Sequence, residues 1–155
     1  MGRNSTGVIG IKLDEDDEVI SMVPYFENTT LLVVTENGFG KRTDLEEYKV
    51  QARAGKGILT YRVTEKTGSL VGALSVCDDD DVLLISNDGT IIRMNVEEIS
   101  VLSRVTQGVT LMRTSEDNKV VALARIAADD KEDEEDSESD ENNPCQENND
   151  QETDN

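Results

Sequence analysis

Basic side chains recur at fixed intervals in this sequence. Arg3, Arg53 and Arg104 are separated by 50 and 51 residues, Arg42 and Arg93 by 51, and Lys41 and Lys56 sit close to members of these sets. Cations in register along a surface suit one kind of chemistry, the neutralisation of phosphates on a polyanion without reading its sequence. The same residues can equally be solvated or paired with carboxylates, and Glu46-Glu47 and Glu97-Glu98 recur at the same 51-residue offset. Stacking of single-stranded bases needs aromatic platforms. With three Tyr, two Phe and no Trp, the chain has few to offer.

Other chemistries are excluded more firmly. The 155 residues include no His, so there is no Ser-His-Asp triad, no Cys-His pair and no imidazole base. The acidic clusters Asp14-Glu15-Asp16-Asp17-Glu18 and Asp78-Asp79-Asp80-Asp81 lack the glycine and terminal Glu of an EF-hand loop and read as solvated strand turns, so no metal site is expected. Apolar runs such as Leu31 to Val34 are far shorter than the roughly 20 residues that span a bilayer.

The formal charge of −19 comes from 34 acidic and 15 basic residues. It is unevenly placed. Residues 127–155 hold 14 acids against Lys131 alone, so −13 lies in this stretch and −6 in the rest. The stretch has almost no apolar side chain with which to offset chain entropy, and is expected to be a disordered acidic tail.

The elements that must carry the cations repeat with the same period. Arg3-Asn4-Ser5-Thr6-Gly7, Arg53-Ala54-Gly55-Lys56-Gly57 and Arg104-Val105-Thr106-Gln107-Gly108 each precede an alternating apolar stretch, Val8–Leu13, Ile58–Val63 and Val109–Thr114. After an acidic or polar turn come second β-rich runs, Val19–Val23, Leu70–Val76 and Val120–Ile126. The first two copies continue with a third strand, Leu31–Thr35 or Val82–Ser86, a hairpin turn at Asn37-Gly38 or Asp88-Gly89 with positive φ expected at both positions, and a fourth strand. Gly7, Gly57 and Gly108 are expected to permit the turn into each first strand.

A four-stranded unit of about 50 residues matches a propeller blade better than a solenoid coil. The expected fold is all-β and propeller-like, over residues 1–126, with units at 7–56 and 57–107 and a half unit at 108–126, followed by the tail at 127–155. An array that opens on the end of one unit and stops halfway through another reads as a piece of a longer protein.

Three stretches, Thr6 to Ser21, Thr35 to Thr43 and Thr106 to Leu123, closely resemble the C-terminal domain of DNA gyrase A, in order, across most of the chain. The resemblance implies an incomplete β-pinwheel, the last two to three blades of a six-bladed disc around whose basic rim double-stranded DNA is wrapped without sequence dependence. It implies contact residues at Arg3, Lys41, Arg42, Arg53, Lys56, Arg93 and Arg104. It also implies a non-catalytic segment without cofactor of its own: ATP and Mg serve the whole enzyme, and the breakage-reunion tyrosine lies elsewhere. The implied partners are the remainder of the gyrase A polypeptide and the gyrase B polypeptide in an A2B2 assembly, with no membrane, in a cytoplasmic, chromosome-associated setting.

Gln51-Ala52-Arg53-Ala54-Gly55-Lys56-Gly57 is similar to that family's basic heptapeptide Gln-x-x-Gly-Gly-Lys-Gly, with Ala54 replacing a glycine. The repeat alignment accounts for it as one unit's version of a loop that every unit carries. The corresponding C-terminal domain of topoisomerase IV is an alternative, and a propeller-like protein-interaction module with a nucleic-acid-mimicking tail is another. A tethered polyanion beside a basic rim competes with DNA phosphate, so the tail is expected to weaken wrapping.

Overall fold

The computed structural model of the chain describes residues 3–115 and 117–128; the expected tail lies, from residue 129 onward, outside the described residues. Thr30–Thr35 (β1) and Phe39–Asp44 (β2) form one hairpin, and Asp81–Ser86 (β4) and Ile91–Asn95 (β5) form its repeat equivalent. Leu70–Val76 (β3), Val109–Thr110 (β6) and Val120–Ile126 (β7) complete the strands. One turn of 3-10 helix follows each hairpin, at Leu45–Glu47 and Val96–Glu98. No described helix is long and apolar enough to cross a membrane.

The strands make two antiparallel sheets, ordered β3-β1-β2-β6 and β5-β4-β7. Neither sheet coincides with one sequence repeat. The first takes β1 and β2 from the unit at 7–56, β3 from the next and β6 from the one after. Both sheets slip register at equivalent places, between Val34 and Thr35 and between Ile85 and Ser86. Leu32, Val34, Val76, Val82, Leu84, Val96, Ile99, Met112 and Val120 share one buried core. The sheets meet through β3 and β7, where Leu123 packs so near Gly72 that a Cβ there would lie 2.6 Å from its Cδ2.

This interleaving explains where the strand expectations fail. In the first sheet, a unit's second run pairs with the preceding unit's third strand, and a unit's first run pairs with a fourth strand two units earlier. Nothing in this sequence stands two units before Val8–Leu13 or Ile58–Val63, or one unit before Val19–Val23. None of the three is a strand, and of Val109–Thr114 only β6 is. Most of their apolar side chains stay exposed, Ile9 and Val19 at 64% and Met22 at 94%, although Tyr61 is buried.

The hairpin turns also differ from expectation in detail. Gly38 and Gly89 have φ of 76° and 84°, but Asn37 and Asp88 are not left-handed. The Gly38 and Gly89 amides donate to the Thr35 and Ser86 carbonyls, each at 3.0 Å, so each loop is a three-residue turn closed by a left-handed glycine. Gly7, Gly57 and Gly108 hold φ of 84°, 79° and 71°, as their turning role requires.

Only half of the aspartate run at 78–81 is the expected solvated turn: Asp78 and Asp79 are exposed in a turn, and the next two are not. Asp80 and Asp81 are 0% and 5% exposed. Asp80 Oδ2 accepts from the Cys77 amide at 2.7 Å and faces Arg125 Nε at 2.9 Å, while Asp81 pairs with Arg93 at 2.5 Å. Burial pushes the Asp80 carboxyl up from its ordinary range.

Candidate nucleic-acid interface

The residues expected to meet phosphate separate into two groups. Lys41 is completely buried, because β2 lies under the segment that leaves the second hairpin. Its Nζ donates to the Ser103 and Arg104 carbonyls at 2.6 and 2.5 Å and lies 5.5 Å from the centre of the Tyr61 ring. Burial lowers its pKa, with Arg104 adding in the same direction and Glu47 opposing.

Arg42 is 4% exposed: its Nε donates to the Ile99 carbonyl at 2.8 Å, and its Nη1 pairs with Asp78. The Arg42 amide and carbonyl also bond Ser100 and Leu102, at 3.1 and 2.8 Å. Neither side chain is offered to an external phosphate. Each fastens the 99–104 segment to β2.

That segment leads directly into the Arg104 loop. There the Tyr61 hydroxyl donates to the Gln107 carbonyl, and the Arg62 amide donates to the Thr106 carbonyl at 3.3 Å. Burial pushes the Tyr61 phenol up to about 12. Arg104 itself is partly covered, its Nη1 donating to the Leu59 carbonyl at 3.1 Å and its Nε 3.8 Å from Glu47. A Cβ on Gly108 would collide with the Gly40 carbonyl, so the loop's close return onto β2 requires glycine there.

The heptapeptide repeats this arrangement one unit earlier. The Lys12 amide donates to the Gly55 carbonyl at 2.8 Å, matching the Arg62 to Thr106 bond, and the Ala54 amide donates to the Gly10 carbonyl at 3.0 Å. Arg53 and Lys56 point outward from a loop pinned at two backbone points, and Lys56 pairs with Asp14 at 2.6 Å with both side chains 71% exposed. An exposed pair of this kind is worth little and yields readily to a competing anion. Ala54 holds φ of 61°, the left-handed region in which the family motif has glycine. Arg3 is exposed, and Arg93 is 54% exposed while paired with Asp81.

Three cations escaped the sequence reading although they keep the same spacing. Lys12, Arg62 and Arg113 each stand nine residues after Arg3, Arg53 and Arg104 and are separated by 50 and 51 residues. All three are exposed. Their register was the signal that could have found them.

Donor atoms of Cys77, Asp79 and Asp80 come within 4.8 Å of one another. The Asp80 oxygen nearest the Cys77 amide is already committed, as described above.

Comparison with known proteins places this arrangement. The sequence profile described as DNA gyrase C-terminal domain, beta-propeller, matches residues 1–25, 29–77 and 80–127. The DNA gyrase A protein of Salmonella typhimurium is 49% identical over 134 residues, which are 85% of this chain and 15% of that protein. The Escherichia coli protein of the same name is 47% identical over 127 residues, 82% of this chain and 14% of that one.

The chain therefore spans about 15% of the length of these curated relatives. A solved DNA gyrase A C-terminal domain superposes with a TM-score of 0.61 at 29% identity, over 64% of this chain and 34% of that one. The C-terminal domain of DNA topoisomerase IV superposes with a TM-score of 0.74 at 24% identity, over 81% and 39%, and so shares the fold.

Proposed function

The chain belongs to the DNA gyrase C-terminal domain family of β-propellers, and we propose that it is a DNA-binding, DNA-wrapping portion of gyrase A with no catalysis of its own. The observation that carries this reading is the repeated loop. A backbone bond from the first-strand segment of a unit fixes the basic loop at that unit's end, at Gly55 and again at Thr106, so that cations emerge at intervals set by the fold. A track of that kind suits a duplex backbone, in which charge is regular and sequence is irrelevant.

Under this proposal the contact residues are Arg3, Arg53, Lys56, Arg93 and Arg104, with Lys41 and Arg42 holding the loops from beneath. The segment needs no cofactor, and ATP and Mg serve other parts of the enzyme. Its partners are duplex DNA, the remainder of the gyrase A polypeptide and the gyrase B polypeptide in an A2B2 enzyme, in the cytoplasm on the bacterial chromosome. Sequence relatives at 49% and 47% identity favour gyrase over topoisomerase IV, whose likeness is one of fold. The acidic tail is proposed to compete with DNA for the cations.

The test is duplex binding by fluorescence anisotropy across a salt series. Binding that weakens with a log–log slope of about −0.9 for each phosphate contacted supports the reading. Absence of duplex binding at low salt refutes it.

A further inference from the structure

Of the cations first expected of the sequence, Arg3 and Arg53 are exposed with no ion-pair partner among the described residues, and the others are buried or paired. Lys41 and Arg42 are buried; Lys56, Arg93 and Arg104 have carboxylate partners. Lys12, Arg62 and Arg113 are exposed, and among the described residues none has an ion-pair partner. We propose that these three form a second line of phosphate contacts, running beside the basic loops, for the backbone of a double-stranded nucleic acid.

The geometry is the same in successive units. The Lys12 amide is bonded to Gly55, inside the loop that carries Arg53 and Lys56, and the Arg62 amide is bonded to Thr106, inside the loop that carries Arg104. Lys12 and Arg62 are thereby each held against a loop of the first line, the start of a unit meeting the loop at that unit's own end. The pairing in space, Lys12 with the Arg53 loop and Arg62 with the Arg104 loop, is therefore not the pairing by nine residues seen in sequence.

Among the described residues no basic loop is bonded to the Arg113 amide in this way. It lines a cleft of about 590 Å³ together with Lys66, Lys119, Asn37, Thr110 and Ser115. Lys66 lies 5.2 Å from the centre of the Phe39 ring, and Lys119 is 2.9 Å from Glu36. Three cations and several hydroxyl or amide groups around one concavity suit a phosphodiester, which accepts hydrogen bonds and carries one negative charge.

Two contacts per unit, one on a loop and one on the adjoining first-strand segment, would grip both sides of a phosphate row. The inference rests on the DNA-binding reading above, and the experiment separates the two. The full chain and the variant Lys12→Gln/Arg62→Gln/Arg113→Gln are titrated with a mixed-sequence duplex between about 50 and about 200 mM salt. The variant is expected to bind at least tenfold more weakly at the low end, with a log–log slope shallower by about 2 to 3, near 0.9 per lost contact.

Arg62→Gln alone is compared with Lys49→Gln, an equal loss of charge at an exposed lysine in neither line. Only Arg62→Gln should change the slope, and this pair decides the matter if the triple variant fails to fold by circular dichroism. A wild-type chain that binds while the triple variant keeps its slope, or Lys49→Gln matching Arg62→Gln, overturns the second line and leaves DNA binding intact. A wild-type chain that binds no duplex overturns both.

Discussion

Replacing Lys41 by Met tests whether a cation expected to face DNA is in fact a fastener of the fold. The substitution keeps most of the side-chain volume and removes the ammonium. Lost with it are hydrogen bonds to the Ser103 and Arg104 carbonyls at 2.6 and 2.5 Å and the contact with the Tyr61 ring. A hydrogen bond from a charged group is worth about 1.5–3 kcal/mol, and truncation leaves both carbonyls without their donor.

Opposing this is the recovered cost of burying a charge, the same effect that lowers the Lys41 pKa from 10.5. The balance is a loss of about 2–4 kcal/mol. For a chain of this size that is a fall in Tm of roughly 4–16 °C. Urea denaturation and thermal melting followed by circular dichroism measure it, and the salt slope of duplex binding is recorded at a temperature where the variant is folded. The expected outcome is a destabilised chain with an unchanged slope. A chain of wild-type stability whose slope drops by about 0.9 would show that Lys41 reaches DNA, and would refute the burial argument.

Two further outcomes follow from local geometry. The Tyr61 phenol, raised from 10 to about 12, contributes stability that is intact below pH 10 and is lost as pH climbs through 12. That loss is about 2–3 kcal/mol. Lys41, whose pKa is lowered from 10.5, acts in the opposite direction as pH approaches that value. The wild-type minus Tyr61→Phe difference in urea midpoints therefore isolates the phenol and should shrink across that window; a constant difference counts against it. Ala54→Gly relieves the left-handed strain at φ 61° and restores the family's glycine, so Tm should rise by a few degrees, on the order of 1 kcal/mol. A lower Tm would mean that the loop's conformation is not limiting.

The period, the two hairpins and the left-handed glycines were legible because each is a local property. Thr30–Thr35 and Asp81–Ser86 are built mainly of β-branched and aliphatic residues, and each is followed three residues on by a glycine. Which strand pairs with which was not legible, because a repeat states that two segments are equivalent and not that they are neighbours. Val8–Leu13 and Val109–Thr110 carry similar residues, yet among the described residues the first meets only a loop, by an isolated bridge from Ile11 to Gly55, and the second meets a strand, β2.

The candidate site was half legible for the same reason. Arg53 and Lys41 look alike in sequence, but Lys41 meets carbonyls presented 62 and 63 residues later, which no local pattern announces. Asp80 and Asp81 seemed solvated until β7 supplied Arg125 and β5 supplied Arg93.

The interleaved sheets have a consequence for the order in which the chain can mature during synthesis. The β1–β2 hairpin can close as soon as residue 44 is free, but its sheet waits for β3 and then for β6 at 109–110. Until then the outer edge of β2 is bare and the Lys41 ammonium has no carbonyls to bind. Each unit is thus completed by its successors, and a ribosome halted between repeats would release an unfinished sheet with a stranded charge beside it. Excising residues 57–107 as one duplication-sized block would remove β3 from the first sheet and both β4 and β5 from the second. In this architecture the segment that evolution copies is not the segment that folds.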